Sequence, residues 1–377
     1  MINKTLCRSY GDYFLVSTKN KYFILKRTMG FIKSQKTLVE YPLTVTIKVT
    51  AKCNLNCIHC HGVMSNGKEL SLKSLKNLIS ELSKVGVLGI NLSGGEPFLR
   101  KDIFDIIQLI EKTGIRVTMS TNATLISEEI AKKMKEKGID YCQVSMDSYK
   151  KDKHDAIRGC SGSFSKMILG VKNLKQAGIK VKAVTVLSNQ TPTEYEKTID
   201  FAYKTGFDSH KTNPLIPCGQ AKTIFDEKYK TKITGEYFSI WTKKRKQYTN
   251  KMLIEAEPSL LMMMGKNELN EQKKNNPLFI GCPAGTKTCS ITETGEVIPC
   301  PFFTELSCGN IMTEKFSRIW NSSKILRKIR DRNYLGKCDG CKYIQVCGGC
   351  RARAYNKNQI LIDSDDYCFN SNLQKGD

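Results

Sequence analysis

The segment Thr50-Ala-Lys-Cys53-Asn-Leu-Asn-Cys57-Ile-His-Cys60 places three cysteines on one short loop with the spacing C-x3-C-x2-C. A structural zinc ion is usually held by four protein ligands, and a [4Fe–4S] cluster also has four irons to ligate. Three thiolates from one loop therefore leave one iron of such a cluster open. The spacing indicates a reactive iron–sulfur site. The alternatives are free thiols, or a zinc site completed by a second cysteine group near the C-terminus.

Composition limits the class of protein further. The chain has 377 residues, which allows a barrel-sized domain and a smaller second domain. Its 16 cysteines, without an export signal, indicate metal or redox chemistry rather than disulfides. No run of about 18 apolar residues is present, so no membrane span and a cytoplasmic location are expected. The net charge of +24 favours anionic partners, but no nucleic-acid-binding motif accompanies it.

Strands and helices alternate regularly after Leu43. Each of the six predicted strands is paired with a polar loop and an amphipathic helix, and Ser71 is predicted to cap the first helix. The predicted strands are Thr44–Val49, Gly89–Leu92, Arg116–Thr121, Tyr141–Met146, Lys180–Leu187 and Lys211–Ile216. Such alternation predicts an α/β fold with a parallel sheet, a partial (β/α)6 barrel of the TIM type. Functional residues are then expected at the carboxyl ends of the strands.

Four segments are predicted along the chain. Residues 1–40 form a lead-in with a β-hairpin, residues 41–218 the partial barrel, residues 219–280 a lysine-rich bridge, and residues 281–377 a cysteine-rich domain.

The cysteine loop after the first strand, together with Ser93-Gly-Gly-Glu-Pro97 after the second, resembles the paired motifs of the radical S-adenosylmethionine (SAM) superfamily. The resemblance implies that Cys53, Cys57 and Cys60 hold a [4Fe–4S] cluster whose fourth iron binds the amino and carboxylate groups of SAM. It also implies a set of SAM contacts: Gly94, Gly95, Glu96, Ser145, Asp147, Arg158, Leu187 and Asn189.

The C-terminal cysteines resemble the SPASM domain, which carries two auxiliary [4Fe–4S] clusters, so three clusters are expected in all. By the ligation pattern of that domain, one cluster would be held by Cys338, Cys341, Cys347 and Cys368. The other would be held by Cys282, Cys300 and Cys350, which leaves one place of eight unfilled. Cys289 is the first candidate for that place and Cys308 the second; otherwise one iron stays open. A zinc ribbon at 338–350 is the alternative.

Two other cysteines are candidate hydrogen-atom donors to a substrate radical. Cys142 lies in the fourth strand, and Cys160 follows Arg158. The alternative for each is an inert buried thiol.

The resemblance implies that the reduced cluster cleaves SAM to a 5′-deoxyadenosyl radical, which abstracts hydrogen from a substrate. The first hypothesis is modification of a ribosomally made peptide by thioether or carbon–carbon cross-linking or by epimerisation. The basic chain suits an acidic leader, and the short lead-in implies a separate leader-binding protein. A flavodoxin or ferredoxin is the expected electron donor. Sulfatase maturation is disfavoured, because Pro301 stands where those enzymes typically have an aspartate.

Two further hypotheses remain open. The run Cys347-Gly-Gly-Cys350-Arg-Ala-Arg-Ala354 resembles haem-biosynthesis relatives, which implies modification of tetrapyrrole side chains. A non-catalytic iron–sulfur electron carrier is the other, and it leaves the glycine turn, Ser145 and Arg158 without a role.

Overall fold

The computed structural model describes residues 6–10, 13–17, 22–26, 40–62, 67–225, 236–257, 281–341, 343–345, 347–365 and 368. The predicted bridge therefore falls partly outside the described residues.

A nine-stranded sheet is the centre of the fold. Its order is β10-β9-β8-β7-β6-β5-β4-β11-β12, and all neighbours are parallel except β11 and β12. The strands are β4 (Thr44–Lys48), β5 (Gly89–Ser93), β6 (Arg116–Thr121), β7 (Tyr141–Ser145), β8 (Lys180–Leu187), β9 (Ser209–Pro214), β10 (Leu253–Ala256), β11 (Thr288–Ile291) and β12 (Val297–Ile298). The predicted α/β class and the six predicted strands are confirmed.

The helices follow the predicted alternation. Ser71 caps α1 by accepting a hydrogen bond from the backbone N–H of Ser74, and the apolar side chains Leu75, Leu78, Ile79 and Leu82 of this amphipathic helix are buried. The helices are α1 (Leu72–Lys84), α2 (Ile103–Glu111), α3 (Glu128–Glu136), α4 (Lys151–Arg158), α5 (Ser163–Gln176), α6 (Pro192–Lys204), α7 (Phe238–Gln247), α8 (Phe316–Ser322), α9 (Lys324–Asp331) and α10 (Arg351–Asn358).

The two faces of the sheet differ in chemistry. On β8, residues 181, 183, 185 and 187 are buried, whereas the alternate residues are partly exposed. The buried set joins the hydrophobic core shared with the helices, because successive strand side chains point to opposite faces. We call the other side of the sheet the inner face.

The sheet extends beyond the predicted partial barrel. β10 comes from the predicted bridge and pairs with β9, and β11 comes from the predicted C-terminal domain and pairs with β4. The backbone of β11 therefore continues the barrel sheet past the predicted boundary at residue 281. Strands this short form because they pair with a neighbouring strand, and that information is not present in their own sequence.

The lead-in forms a separate three-stranded antiparallel sheet. β1 (Leu6–Tyr10) pairs with β2 (Tyr13–Ser17), and β2 pairs with β3 (Tyr22–Lys26), so the predicted hairpin is confirmed and has one additional strand. Among the described residues, no helix is long and apolar enough to cross a membrane.

Candidate functional site

The cysteine loop leaves the carboxyl end of β4 and is fixed by the end of α4. The backbone N–H of Asn56 donates to the carbonyl of Arg158 at 3.1 Å, and that of Ile58 donates to the carbonyl of Ile157 at 3.0 Å. Cys53 is exposed, Cys57 is buried and Cys60 is half-buried. Burial raises the pKa of Cys53, and Cys57 and Cys60 add to this increase, so the three thiols form one group.

The glycine turn after β5 packs directly on this loop. Gly95 N–H donates to the carbonyl of Thr50 at 2.8 Å, and Glu96 N–H donates to the carbonyl of Lys52 at 2.7 Å. A Cβ on Gly95 would lie 2.1 Å from the carbonyl oxygen of Lys52, and one on Gly94 would lie 2.5 Å from that of Thr50. The two glycines therefore permit a backbone contact that any side chain would prevent.

Glu96 is buried and bound by its own protein. Its Oε1 accepts a hydrogen bond from Thr121 Oγ1 at 2.8 Å, and its Oε2 accepts one from Asn122 N–H at 2.8 Å. Burial raises the pKa of Glu96 to about 7, although these hydrogen bonds lower it. A cation placed beside this carboxyl group would favour its ionised form.

Arg158 is buried at the carboxyl end of α4. Its Nη2 is 2.6 Å from Asp147 Oδ2, and its Nη1 is 3.7 Å from Cys57 Sγ. Asp147 Oδ1 also accepts a hydrogen bond from Val186 N–H at 2.9 Å. Burial raises the pKa of Asp147, but Arg158 and the nearby histidines outweigh it and hold that pKa below its usual value. Asp147 therefore orients Arg158 toward the cysteine loop.

His59 lies beside this ion pair, with Nε2 3.7 Å from Asp147 Oδ2. Burial lowers the pKa of His59 to about 4, so its ring is neutral near pH 7.

Three other predicted SAM contacts have different surroundings. Ser145 ends β7 on the inner face, at one of the partly exposed positions of that strand. Leu187 is buried on the helix side, among residues of α6 and α7 such as Tyr195 and Trp241. Asn189 is exposed, and its carbonyl accepts a hydrogen bond from Lys153. The side chain of Leu187 therefore does not reach the inner face, because it follows the alternation of β8.

No contact among the described residues places either candidate hydrogen-atom donor, Cys142 or Cys160, on the inner face. Cys142 is fully buried in the core on the helix side of β7, and burial raises the pKa of its thiol. Cys160 is half-buried just after α4, and its thiol donates to the carbonyl of Ser161 at 3.7 Å. The position of Cys142 corrects the expectation that it faces a substrate.

The C-terminal cysteines form two groups that match the expected ligand sets. Cys338, Cys347 and Cys368 interact electrostatically with one another, and Cys341 follows Cys338 in the same turn. Cys282, Cys300 and Cys350 form the other interacting group.

Cys289 is not brought to either group. It lies on β11 opposite Val45 in the hydrophobic core, and the thiol that interacts with it is Cys308. The expected eighth ligand is thus on the helix side of a strand, whereas the cysteine groups lie beyond the strand ends. Cys308 lies with it and not with Cys282.

The inner face is polar rather than packed. Asn91 and Gln143 both donate to Ser120 Oγ, at 3.1 Å and 3.3 Å, and Lys182 forms an ion pair with Glu255. A cavity of about 290 Å³ opens between this face and the C-terminal region, lined in part by Lys48, His61, Gly94, Glu293 and Phe303.

Lys211 lies on the inner face of β9, where it interacts electrostatically with Cys282 of the C-terminal domain. Burial lowers the pKa of Lys211, and nearby groups include Glu257, Lys182 and Cys282. The chain therefore places a poorly solvated ammonium group between the sheet and one cysteine group.

The cysteine groups fit [4Fe–4S] clusters. No three His, Cys, Asp or Glu residues among those described are grouped so that they could hold a single metal ion. The thiolates of a cubane cluster lie further apart than the ligands of one ion. In each cysteine group the sulfur atoms are close enough to interact. The group on the cysteine loop also lies beside the turn of Gly94 and Gly95, where no side chain occupies space. The residues present therefore fit cluster binding.

Comparison with known proteins identifies the class. The chain matches the radical SAM superfamily over residues 47–202 and an iron–sulfur cluster-binding domain, SPASM, over residues 282–351. It belongs to the radical SAM superfamily, and the two matched domains make it a radical SAM/SPASM enzyme.

Individual relatives are similar over most of their length. An AdoMet-dependent heme synthase from Methanosarcina barkeri is 31% identical over 351 residues, covering 88% of this chain and 97% of that protein. Mycofactocin maturase MftC from Mycolicibacterium smegmatis is 27% identical, covering 88% and 83%. The crystal structure of Streptococcus suis SuiB bound to S-adenosylmethionine has a TM-score of 0.77 at 16% identity, covering 97% and 98%, which shows the shared fold.

Sequence reasoning missed Cys218, which is fully buried beyond β9. It also missed Asn122 and Thr121, which hold Glu96, and Lys211. The position of Cys218, just past the carboxyl end of a predicted strand, was the available signal.

Proposed function

We propose that this radical SAM/SPASM enzyme oxidises a porphyrin that carries carboxylate side chains. Lys211 is the observation that carries this proposal, because burial disfavours the charged form of its ammonium group and an anionic substrate group placed beside it would stabilise that charge. The similarity to a heme synthase over nearly the whole of that relative supports the same substrate class.

The chain's own residues prepare the reaction in three ways. Gly94 and Gly95 let the glycine turn lie against the cysteine loop, Asp147 directs Arg158 toward Cys57, and Glu96 offers a buried carboxylate. Arg158 would pair with the SAM carboxylate and Glu96 would oppose its ammonium group. When bound, the cluster of the cysteine loop supplies the electron that cleaves SAM to a 5′-deoxyadenosyl radical.

The proposed conversion turns a propionate side chain into a vinyl group. One hydrogen atom passes to the 5′-deoxyadenosyl radical, carbon dioxide leaves, and one electron is removed from the substrate. An auxiliary cluster that Cys282, Cys300 and Cys350 would hold could accept that electron. Lys211 would hold a carboxylate so that the side chain lies at the carboxyl ends of the strands.

Iron coproporphyrin III is expected to stimulate formation of 5′-deoxyadenosine by the anaerobically reconstituted full chain with SAM and dithionite. Mass spectrometry should show a porphyrin product that has lost carbon dioxide and two hydrogens. If the porphyrin neither stimulates SAM cleavage nor changes mass, although SAM is still slowly cleaved without it, the substrate proposal is wrong and the radical SAM assignment stands.

Lys211→Met should raise the KM for this porphyrin about tenfold, as expected when a charged hydrogen bond is lost, and should leave substrate-free SAM cleavage unchanged. Lys180→Met is the matched control, because Lys180 lies at the exposed start of β8. An unchanged KM in the Lys211 variant would show that Lys211 does not bind the porphyrin carboxylate, and the proposal would lose its main structural support.

A peptide substrate is the second candidate, favoured by the similarity to a mycofactocin maturase. The antiparallel sheet of β1–β3 has edge strands on which an extended leader peptide would pair. In the same assay, peptides in place of porphyrin would then stimulate 5′-deoxyadenosine formation.

The affinity for SAM should rise with pH through 7 and level off above about pH 8. Glu96 has a pKa of about 7, so it is mostly protonated at pH 6, and a neutral carboxyl does not balance the SAM ammonium group. At pH 6 we expect binding about tenfold weaker than on the plateau above about pH 8. Equilibrium dialysis of SAM against the reconstituted enzyme measures this.

Glu96→Gln is the control for this titration. It keeps the shape of the side chain and removes its charge, so binding should be weak and independent of pH between 6 and 8. A variant with the wild-type pH dependence would show that another group titrates.

A further inference from the structure

Cys218 lies where two cysteine groups meet. After β9 the chain continues through buried Leu215 and Ile216 into a short 3-10 helix, Gly219–Thr223. Gln220 N–H donates to the carbonyl of Cys60 at 2.9 Å, and Lys222 Nζ donates to Glu305 Oε1 at 2.9 Å. Contacts on both sides thus fix this segment between the cysteine loop and the C-terminal domain.

The side chain of Cys218 belongs to a small buried cluster with Cys350. That cluster also contains Ile298 and Phe303, with Cys300 packed at its edge. Cys218 interacts electrostatically with Cys350 and Cys60, and Cys300 interacts with Cys282, Cys350 and Cys218. Cys282 also interacts with Cys350. Four thiols therefore share one location, although Cys218 is far from the others in sequence.

We propose that Cys218 is the fourth protein ligand of the auxiliary [4Fe–4S] cluster held by Cys282, Cys300 and Cys350. The thiol loses its proton when its sulfur binds iron, and no electron is transferred. With Cys218, the two auxiliary clusters have eight thiolate ligands. Cys289 cannot be the eighth ligand, because it faces the hydrophobic core beside Val45. The inference rests on the cysteine group alone and is independent of the substrate proposed above.

A closed cluster has a functional consequence. When all four irons have protein ligands, none is open to bind substrate. The auxiliary site next to Lys211 would then accept an electron rather than hold the substrate.

The test replaces Cys218 in a protein that lacks the first cluster. In a Cys53→Ala, Cys57→Ala, Cys60→Ala background, reconstituted protein should hold about 8 irons in two auxiliary clusters. Adding Cys218→Val should either reduce iron to about 4 or, on mild oxidation, produce a [3Fe–4S] signal in electron paramagnetic resonance. Neither change should occur in the background protein, because its clusters are closed.

Cys289→Val in the same background is the matched control, since Cys289 is also a buried cysteine. It should keep about 8 irons and give no [3Fe–4S] signal. Valine fills the volume of cysteine among apolar neighbours, so circular dichroism should show both variants folded. The proposal is overturned if the Cys218 variant keeps its iron without the signal, or if the Cys289 variant shows the change instead.

Discussion

Simultaneous replacement of Cys53, Cys57 and Cys60 by alanine is expected to abolish SAM cleavage while the auxiliary clusters remain. These thiols form one group on the loop after β4, apart from the two C-terminal groups. Iron should fall from about 12 to about 8 per chain after reconstitution. Chromatographic detection of 5′-deoxyadenosine and iron analysis of the same samples measure both effects.

A second triple variant controls for damage to the fold. Cys142→Ala, Cys160→Ala and Cys308→Ala together remove the same number of thiols, none of which lies in a proposed cluster group. It should retain about 12 irons and substrate-free SAM cleavage. A similar loss of SAM cleavage in both variants would contradict the assignment of the loop. Finding zinc in place of iron in the wild-type protein would contradict the whole class of proposals.

The succession of elements in the barrel could be predicted because its determinants are local. Ser71 caps α1, and the apolar stripe of that helix is visible at the spacing of its turns. The strands β4 to β9 alternate or carry β-branched runs. β10 and β11 could not be predicted in this way, because four-residue strands depend on the partners beside them.

The candidate site was predictable where a motif occupies one stretch of chain. The hydrogen bond from Gly95 N–H to the carbonyl of Thr50 joins two motifs that the family resemblance already linked. For the other predicted site residues, the alternation of side chains along a strand decides which face of the sheet they occupy. Leu187, the last residue of β8, and Cys142, the second residue of β7, both lie at positions that face the helices. Spacing alone does not reveal which face a residue occupies when the strand ends are uncertain.

Cys218 shows the limit of reading cysteines by spacing. The motif of the C-terminal domain suggested Cys289 as the missing eighth ligand, because Cys289 lies between Cys282 and Gly295 in the sequence. The fold instead brings Cys218 across from the end of β9. Parallel sheets gather residues that are distant in sequence at one edge, so a ligand there need not lie within the motif.

Gly95→Ala is expected to reduce SAM cleavage more than about 100-fold, because misplacement of a reacting group by about 1 Å has an effect of that size. The new Cβ would lie 2.1 Å from the carbonyl oxygen and 2.5 Å from the carbonyl carbon of Lys52, so the glycine turn or the cysteine loop must move. Both atoms belong to backbone, which cannot rotate away as a side chain would. Substrate-free formation of 5′-deoxyadenosine measures the loss, and iron analysis shows whether the first cluster still assembles.

Gly178→Ala separates this steric effect from backbone strain. Gly178 has a φ of +72°, and a Cβ there meets nothing within 4 Å. Alanine at that position should lower the free energy of unfolding by about 1–2 kcal/mol, the cost of a left-handed conformation, and leave SAM cleavage unchanged. Gly95→Ala should instead affect SAM cleavage more than the free energy of unfolding, because its new Cβ disrupts the contact between the glycine turn and the cysteine loop. If Gly95→Ala retained SAM cleavage within a few-fold of wild type, the close packing of the glycine turn on the cysteine loop would not be what forms the SAM site.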